Sequence, residues 1–297
     1  MKMIKIYQLI LVWISFVPFS VQGQTIQNSI FWKISGNGLE KPSYIFGTHH
    51  LHDYAFIEKN EEIHKILASV DMVVGEVVVN DQNMAGIMAK LFSSMMMKDQ
   101  TLEKLLTPEQ FKKVDASLRT SSGFGLKFFN NYKPIFVYLI IMASKMEAPI
   151  GNSMDIYFQQ VGQKTQKEIK GLETADEQLS VLANGYSLER QVEMLMEIVD
   201  EQEGSESDQL KELGNLYRQQ NIQALYTLMQ ETSPEDELKI LLIDRNIKWI
   251  PQIKEIFAAQ KSAFIAVGAG HLPGDYGVLN LLAQKGYTLT PILIPVE

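Results

Sequence analysis

An α/β fold, with a central mixed or largely parallel β-sheet flanked by helices and a large helical middle region, is predicted by three observations. Strand-like segments gather near both ends of the 297-residue chain. One of them, Met72 to Val79, is a nearly unbroken β-branched run of the kind that suits a strand buried on both faces. Between the ends, helix-start signals recur. The two strand-rich ends need each other to complete one sheet, so residues 24–297 read as a single domain with helical inserts at about 81–165 and 187–258.

Taken in order, Met1 to Lys5 is a short basic start, Ile6 to Phe19 is mostly apolar, and Val21-Gln22-Gly23 is a small-residue exit. That is the layout of a secretory signal peptide over residues 1–23, with an apolar run shorter than the roughly 20 residues a spanning helix needs. The expected product is exported, periplasmic or secreted, with no stable membrane insertion after cleavage. Phe31 to Ser35 alternates as a strand does, Gly36-Asn37-Gly38 turns, and Ser43 to Phe46 returns, which predicts a hairpin. Ile63, Ile66 and Leu67 share a face of a helix expected over Glu58–Ser69. Thr107-Pro108-Glu109-Gln110 combines an N-cap, a proline at the first helical position and an acidic first turn. The apolar stretch Pro134 to Ala143 reads as a buried helix, too short to cross a bilayer. Ile169 to Glu173 is a further strand, and Ser187-Leu188 and Ser233-Pro234 open further helices. Gly204 to Asp208 is a loop. Ala263 to Val267, a helix over Gly277–Lys285 ending at Gly286, and Leu289 to Ile294 complete a strand–helix–strand unit.

Composition removes several chemistries. Without any cysteine there is no disulfide scaffold, zinc–thiolate site, iron–sulfur cluster or cysteine nucleophile. A net charge of −8 lacks the basic face that nucleic acid requires. Any metal must be held by carboxylates and by the five histidines.

Those histidines are not scattered. Tyr44-Ile45-Phe46-Gly47-Thr48-His49-His50-Leu51 and Ile265-Ala266-Val267-Gly268-Ala269-Gly270-His271-Leu272 share the pattern apolar-apolar-apolar-Gly-x-x-His-Leu, each followed by an aspartate, Asp53 or Asp275. In both, a strand runs into glycine and delivers an imidazole beyond its carboxyl end, where parallel sheets bind ligands. His52 adjoins the first copy, whereas His64 falls on the predicted helix and reads as a surface residue. Glu76 is out of place in the valine run, because an unpaired buried charge is costly; it must face a partner, a metal or water. Two imidazoles and a carboxylate make a ligand set for a divalent cation such as Mn, Co, Zn or Fe. No His-Glu-x-x-His helix is present.

Gly47-Thr48-His49-His50, Glu76, Gly171-Leu172-Glu173-Thr174, Asp244-Arg245-Asn246 with Trp249, and Val267 to Leu272 occur in the order seen in the TraB/GumN family, which the chain resembles from about residue 30 to 294. The resemblance implies an α/β fold that juxtaposes the two Gly-x-x-His motifs, and divalent-metal-dependent proteolysis as in the family's TIKI branch. The ligands it implies are His50, His271 and Glu76, and the substrate is a peptide or protein. His49 adjoins the motif ligand and is a candidate to handle a proton, and His52 shares the face of His50 by period-two geometry. Glu173, at a strand end, and Arg245, after an amphipathic helix, recur in the family; a buried arginine there can pair with Glu76 or Glu173 or stabilise an oxyanion.

The function expected is therefore a metal-dependent hydrolase, with Glu76, His49, Glu173 and Arg245 as its catalytic candidates. The alternative is a non-catalytic exported binding protein acting on a peptide or in an envelope or polysaccharide pathway. A metal-free esterase ranks last, since no Gly-x-Ser-x-Gly elbow is found. Met84, Met88, Met95, Met96 and Met97 admit a copper reading, but their spacing fits adaptable packing in a helix that covers the site.

Overall fold

The computed structural model describes residues 28–49, 55–79, 81–144, 153–200 and 208–295. The expected signal peptide, the loop at Gly204, and His50, His52 and Asp53 lie outside the described residues.

Six strands form one mixed sheet: β1 (Phe31–Ser35), β2 (Ser43–Thr48), β3 (Met72–Gly75), β4 (Glu168–Gly171), β5 (Ala263–Gly268) and β6 (Thr288–Ile292), in the spatial order β4-β3-β5-β2-β1-β6. The predicted hairpin is β1 against β2, and β1 is antiparallel to β6 as well. Every other pairing is parallel, so β2, β5, β3 and β4 end at one edge. β5 is inserted between β2 and β3 and is apolar throughout, as a strand covered on both faces should be. Both strand-rich ends of the chain therefore contribute to one sheet, and each Gly-x-x-His motif continues from a strand that stops at the same edge.

Packing beneath that edge depends on a close approach. The helix Met154–Lys164 lies on the sheet, where Phe158 meets Phe46 at 5.1 Å and Phe264 at 4.6 Å between ring centroids. Gly162 permits this, since a β-carbon there would stand 2.7 Å from Ile169 and 2.8 Å from Val73. Gly162→Ala is expected to destabilise the fold by about 1–3 kcal/mol through overpacking, read as a lower midpoint in urea unfolding.

Several boundaries differ from expectation, with identifiable causes. The helix predicted over Glu58–Ser69 is two: Ala55–Glu58, then Glu61–Ser69 capped by the Asn60 side chain on the N–H groups of Glu62 and Ile63. The valine run stays in the sheet only as far as Gly75. Beyond it, the Gln159 side chain takes over the backbone, donating to Val77 O at 2.9 Å and accepting from Val79 N–H at 2.9 Å, while Asn83 donates to Val78 O. With those groups satisfied, residues 76–79 need no strand partner. Thr107 is the expected N-cap, and it makes a capping box with Gln110 as well. Pro134–Ser144 is a buried helix, and among the described residues no helix is long and apolar enough to cross a membrane. Of the methionines, Met95 and Met97 pack against apolar clusters, whereas Met84, Met88 and Met96 are exposed.

Candidate functional site

Two backbone hydrogen bonds beyond the ends of β3 and β4 bring the first pair of functional groups together. Leu172 N–H donates to Gly75 O at 3.0 Å and Glu173 N–H to Glu76 O at 2.9 Å, so the parallel pairing sets the two glutamates side by side. Next to them, β5 ends at Gly268, whose N–H donates to Glu76 Oε1 at 2.8 Å. A single 3-10 turn, Ala269–His271, then folds the imidazole of His271 back towards the carboxylate, with Nε2 3.8 Å from Glu76 Oε1.

The fourth contribution comes from the helix Asp244–Ala258. Arg245 grips Glu173 through two atoms, Nε to Oε2 at 3.1 Å and Nη2 to Oε1 at 2.6 Å. Its Nη2 also donates to Glu76 Oε2 at 2.5 Å, and its Nη1 reaches Leu241 O at 3.0 Å and His271 Nε2 at 3.1 Å. Leu241 belongs to the π turn Lys239–Ile243 that leads into this helix, so Arg245 follows one helical stretch and sits at the start of the next. Trp249, one turn on, lies beneath both groups: 4.9 Å from the guanidinium and 4.4 Å, ring to ring, from His271. Gln178, from the helix Ala175–Asn184, donates to Glu76 at 3.0 Å and Glu173 at 3.2 Å.

The hydrogen-bond pattern assigns the tautomer of His271. Asn246 Nδ2 donates to the carbonyls of His271 at 3.2 Å and Tyr276 at 2.9 Å, which fixes its Oδ1 as the atom 2.7 Å from His271 Nδ1. Oδ1 only accepts, so Nδ1 carries the proton. Arginine only donates, so Nε2 presents a lone pair to Nη1. His271 is held as a neutral imidazole whose Nε2, accepting from Arg245, lies 3.8 Å from Glu76 Oε1. Burial by itself would lower the Arg245 pKa, but the hydrogen bonds its side chain donates to Glu173 and the charges of Glu76 and Glu173 override it, and the guanidinium is held more firmly charged than usual. One guanidinium against two carboxylates leaves the cluster one negative charge.

The donor set fits a divalent cation in kind. Glu76 and His271 present an oxygen and an imidazole nitrogen towards each other, and Asn246 supplies the outer hydrogen bond that orients a ligating histidine. In number the set is incomplete, for among the described residues no group of three histidines, aspartates or glutamates is arranged to hold a metal. His50, the third expected ligand, lies outside them. At the end of β2, the His49 ring packs 4.9 Å from Tyr217, whose hydroxyl donates to Gly47 O at 2.8 Å; Thr48 donates to Asp155 at 2.8 Å. This places the His49 ring beside Tyr217 and its neighbour Thr48 on Asp155, whereas Glu76, Glu173, Arg245 and His271 form one network.

Beside the network opens a cleft of about 500 Å³ lined by Val78, Asn83, Ile87, Leu172, Glu173 and Thr174. Glu173 belongs to both. The helix Asp81–Met95 forms one wall of this cleft with Asn83 and Ile87.

Comparison with protein families matches residues 30–291 to the model of the TraB/PrgY/gumN family. The chain belongs to that family. No curated protein and no solved structure matches it. Within this TraB/PrgY/gumN chain, the structure brings the sequence candidates Glu76, Glu173, Arg245 and His271 together, and Asn246, adjacent to Arg245 in the sequence, joins them. Sequence reasoning missed Gln178 and Asp155, polar residues on helices that carry no local signal of a distant partner. Trp249 was noted only as part of the family pattern, although its ring is fully buried under the site.

Proposed function

We propose that this protein is a metal-dependent hydrolase, acting on peptide bonds of a peptide or protein after export, with His50, His271 and Glu76 as the ligands of a divalent cation. The observation that carries the reading is the imposed tautomer of His271. Asn246 Oδ1 accepts from Nδ1–H and leaves Nε2 as the lone-pair nitrogen, 3.8 Å from a buried carboxylate, beside an open cleft, at the carboxyl edge of a parallel sheet. When bound, such a cation polarises a carbonyl and acidifies water. The chain's own residues supply the rest. Glu173 and Gln178 hold the guanidinium and Glu76 in place, and Arg245 sets its positive charge beside the position where negative charge develops on a substrate oxygen. The cleft against Glu173 is where a substrate chain reaches the site.

The test is metal analysis of the purified protein beside His50→Ala and His271→Ala, with peptide hydrolysis followed before and after chelation. Stoichiometric metal in the wild type, lost in both variants together with activity, is the expected result. Full metal and full activity in both variants would sink the reading.

One observation favours the non-catalytic alternative, a binding protein for a peptide or an envelope component: Arg245 already engages both described ligands. A His50→Ala/His271→Ala double variant that keeps its biological effect supports that alternative.

A further inference from the structure

The contacts of Arg245 divide into two sets that can be exchanged independently. One set is the two-point grip on Glu173, through Nε at 3.1 Å and Nη2 at 2.6 Å. The other reaches the two candidate ligands, Glu76 Oε2 at 2.5 Å and His271 Nε2 at 3.1 Å. Neither ligand depends on the arginine for its position. Glu76 is also tied to Gly268 N–H and Gln178, and His271 to Asn246. The guanidinium, for its part, keeps Glu173, the Leu241 carbonyl and the Trp249 ring if it lets the ligands go.

From this we infer that Arg245 is a resident counter-cation: it occupies Glu76 and His271 in the absence of a divalent ion and yields them by falling back on Glu173. The inference rests on the metal-dependent reading above and adds to it what sets cation affinity. Arg245 is here a positioning residue, and its positive charge competes with the ion for the same two donor atoms. With the arginine in place the cluster carries one net negative charge; without it the two carboxylates leave two. Glu173 works in the opposite sense. It is the acceptor that draws the guanidinium off the ligands, so the cation binds more easily because Glu173 is there.

Two neighbouring residues must then shift affinity in opposite directions, which a merely structural role does not predict. The experiment is titration of the full-length mature chain with manganese or zinc chloride by calorimetry, confirmed by competition with a chromophoric chelator. Arg245→Gln is expected to bind the ion about tenfold more tightly than wild type, or more, as an opposing charge is removed. Arg245→Lys, which keeps a charge for the buried carboxylates but cannot grip Glu173 at two points, guards against loss of folding and is expected to differ from wild type by less. Glu173→Gln, which leaves Arg245 paired with Glu76, is expected to bind about tenfold more weakly. Tighter binding by Glu173→Gln, or unchanged or weaker binding by a folded Arg245→Gln, overturns the inference while a metal-binding wild type leaves the hydrolase reading intact. A wild type that binds neither ion, beside an Arg245→Gln variant that does, means that the guanidinium does not yield, and sinks both the inference and the metal-dependent reading. If no form binds either ion, both fail.

Discussion

Arg245→Met is expected to lower the unfolding free energy by about 3–5 kcal/mol, because it leaves two buried carboxylates without their counter-charge. The side chains of Glu76 and Glu173 are only 8% and 7% exposed. Gln178 and Gly268 N–H would still donate to them, but neither carries charge. An exposed ion pair is worth about 1 kcal/mol at most, so the size of the loss separates a buried network from a surface bridge. Urea unfolding of the wild type, Arg245→Met and the triple variant Arg245→Met/Glu76→Gln/Glu173→Gln makes the comparison. Removing the charges together with the guanidinium is expected to return a large part of the loss, since three residues in one network do not act additively. A single-variant loss below about 1 kcal/mol would mean that both carboxylates reach water or hold a proton.

The second large effect belongs to Asn246. Asn246→Ala removes the acceptor for His271 Nδ1–H and the donor to two carbonyls, and it is expected to weaken cation binding or hydrolysis by about 10–100-fold. Asn246→Asp keeps the acceptor while losing both donations, and is expected to fall between wild type and Asn246→Ala. Nitrogen-15 spectra of the histidines supply a readout that needs neither metal nor substrate. In the wild type, His271 is expected to carry its proton on Nδ1 with Nε2 bare, and in Asn246→Ala to lose that preference. A wild-type spectrum with the proton on Nε2 would remove the basis for treating His271 as a ligand.

What the sequence made legible follows from how local each signal is. The strand ends were readable because apolar runs stop at glycine in both motif copies, and the hairpin because Gly36-Asn37-Gly38 separates two alternating segments. Glu76 was readable as an anomaly, a charge in a run of valines that calls for a partner. The partner's identity was not, because Arg245 lies 169 residues away. Likewise the end of β3 at Gly75 depends on Gln159, a side chain from a helix laid across the sheet, which no pattern within 72–79 encodes. Gln178 was invisible for the same reason: glutamine is ordinary on a helix, and only the parallel pairing of β3 with β4 turns this one towards two carboxylates. Asn246 stood in view beside Arg245, but its function is to fix a proton on a neighbouring ring, and sequence does not display protons.

The position of β5 has a consequence for the life history of the chain. β2 and β3 are near in sequence, yet in the sheet each pairs with β5 and not with the other, and β5 begins only at Ala263. Until the residues from Ala263 onward exist, the middle of the sheet has no occupant, and neither Glu76 nor Arg245 has His271 to meet. Folding thus waits on closure of very long loops, the slow kind of topology. A chain released or cut before Ala263 carries the first motif and the glutamates but none of the second. Synthesis order therefore makes the site all-or-none: it is assembled only when residues 263–271 arrive, after the glutamates and the arginine are already waiting.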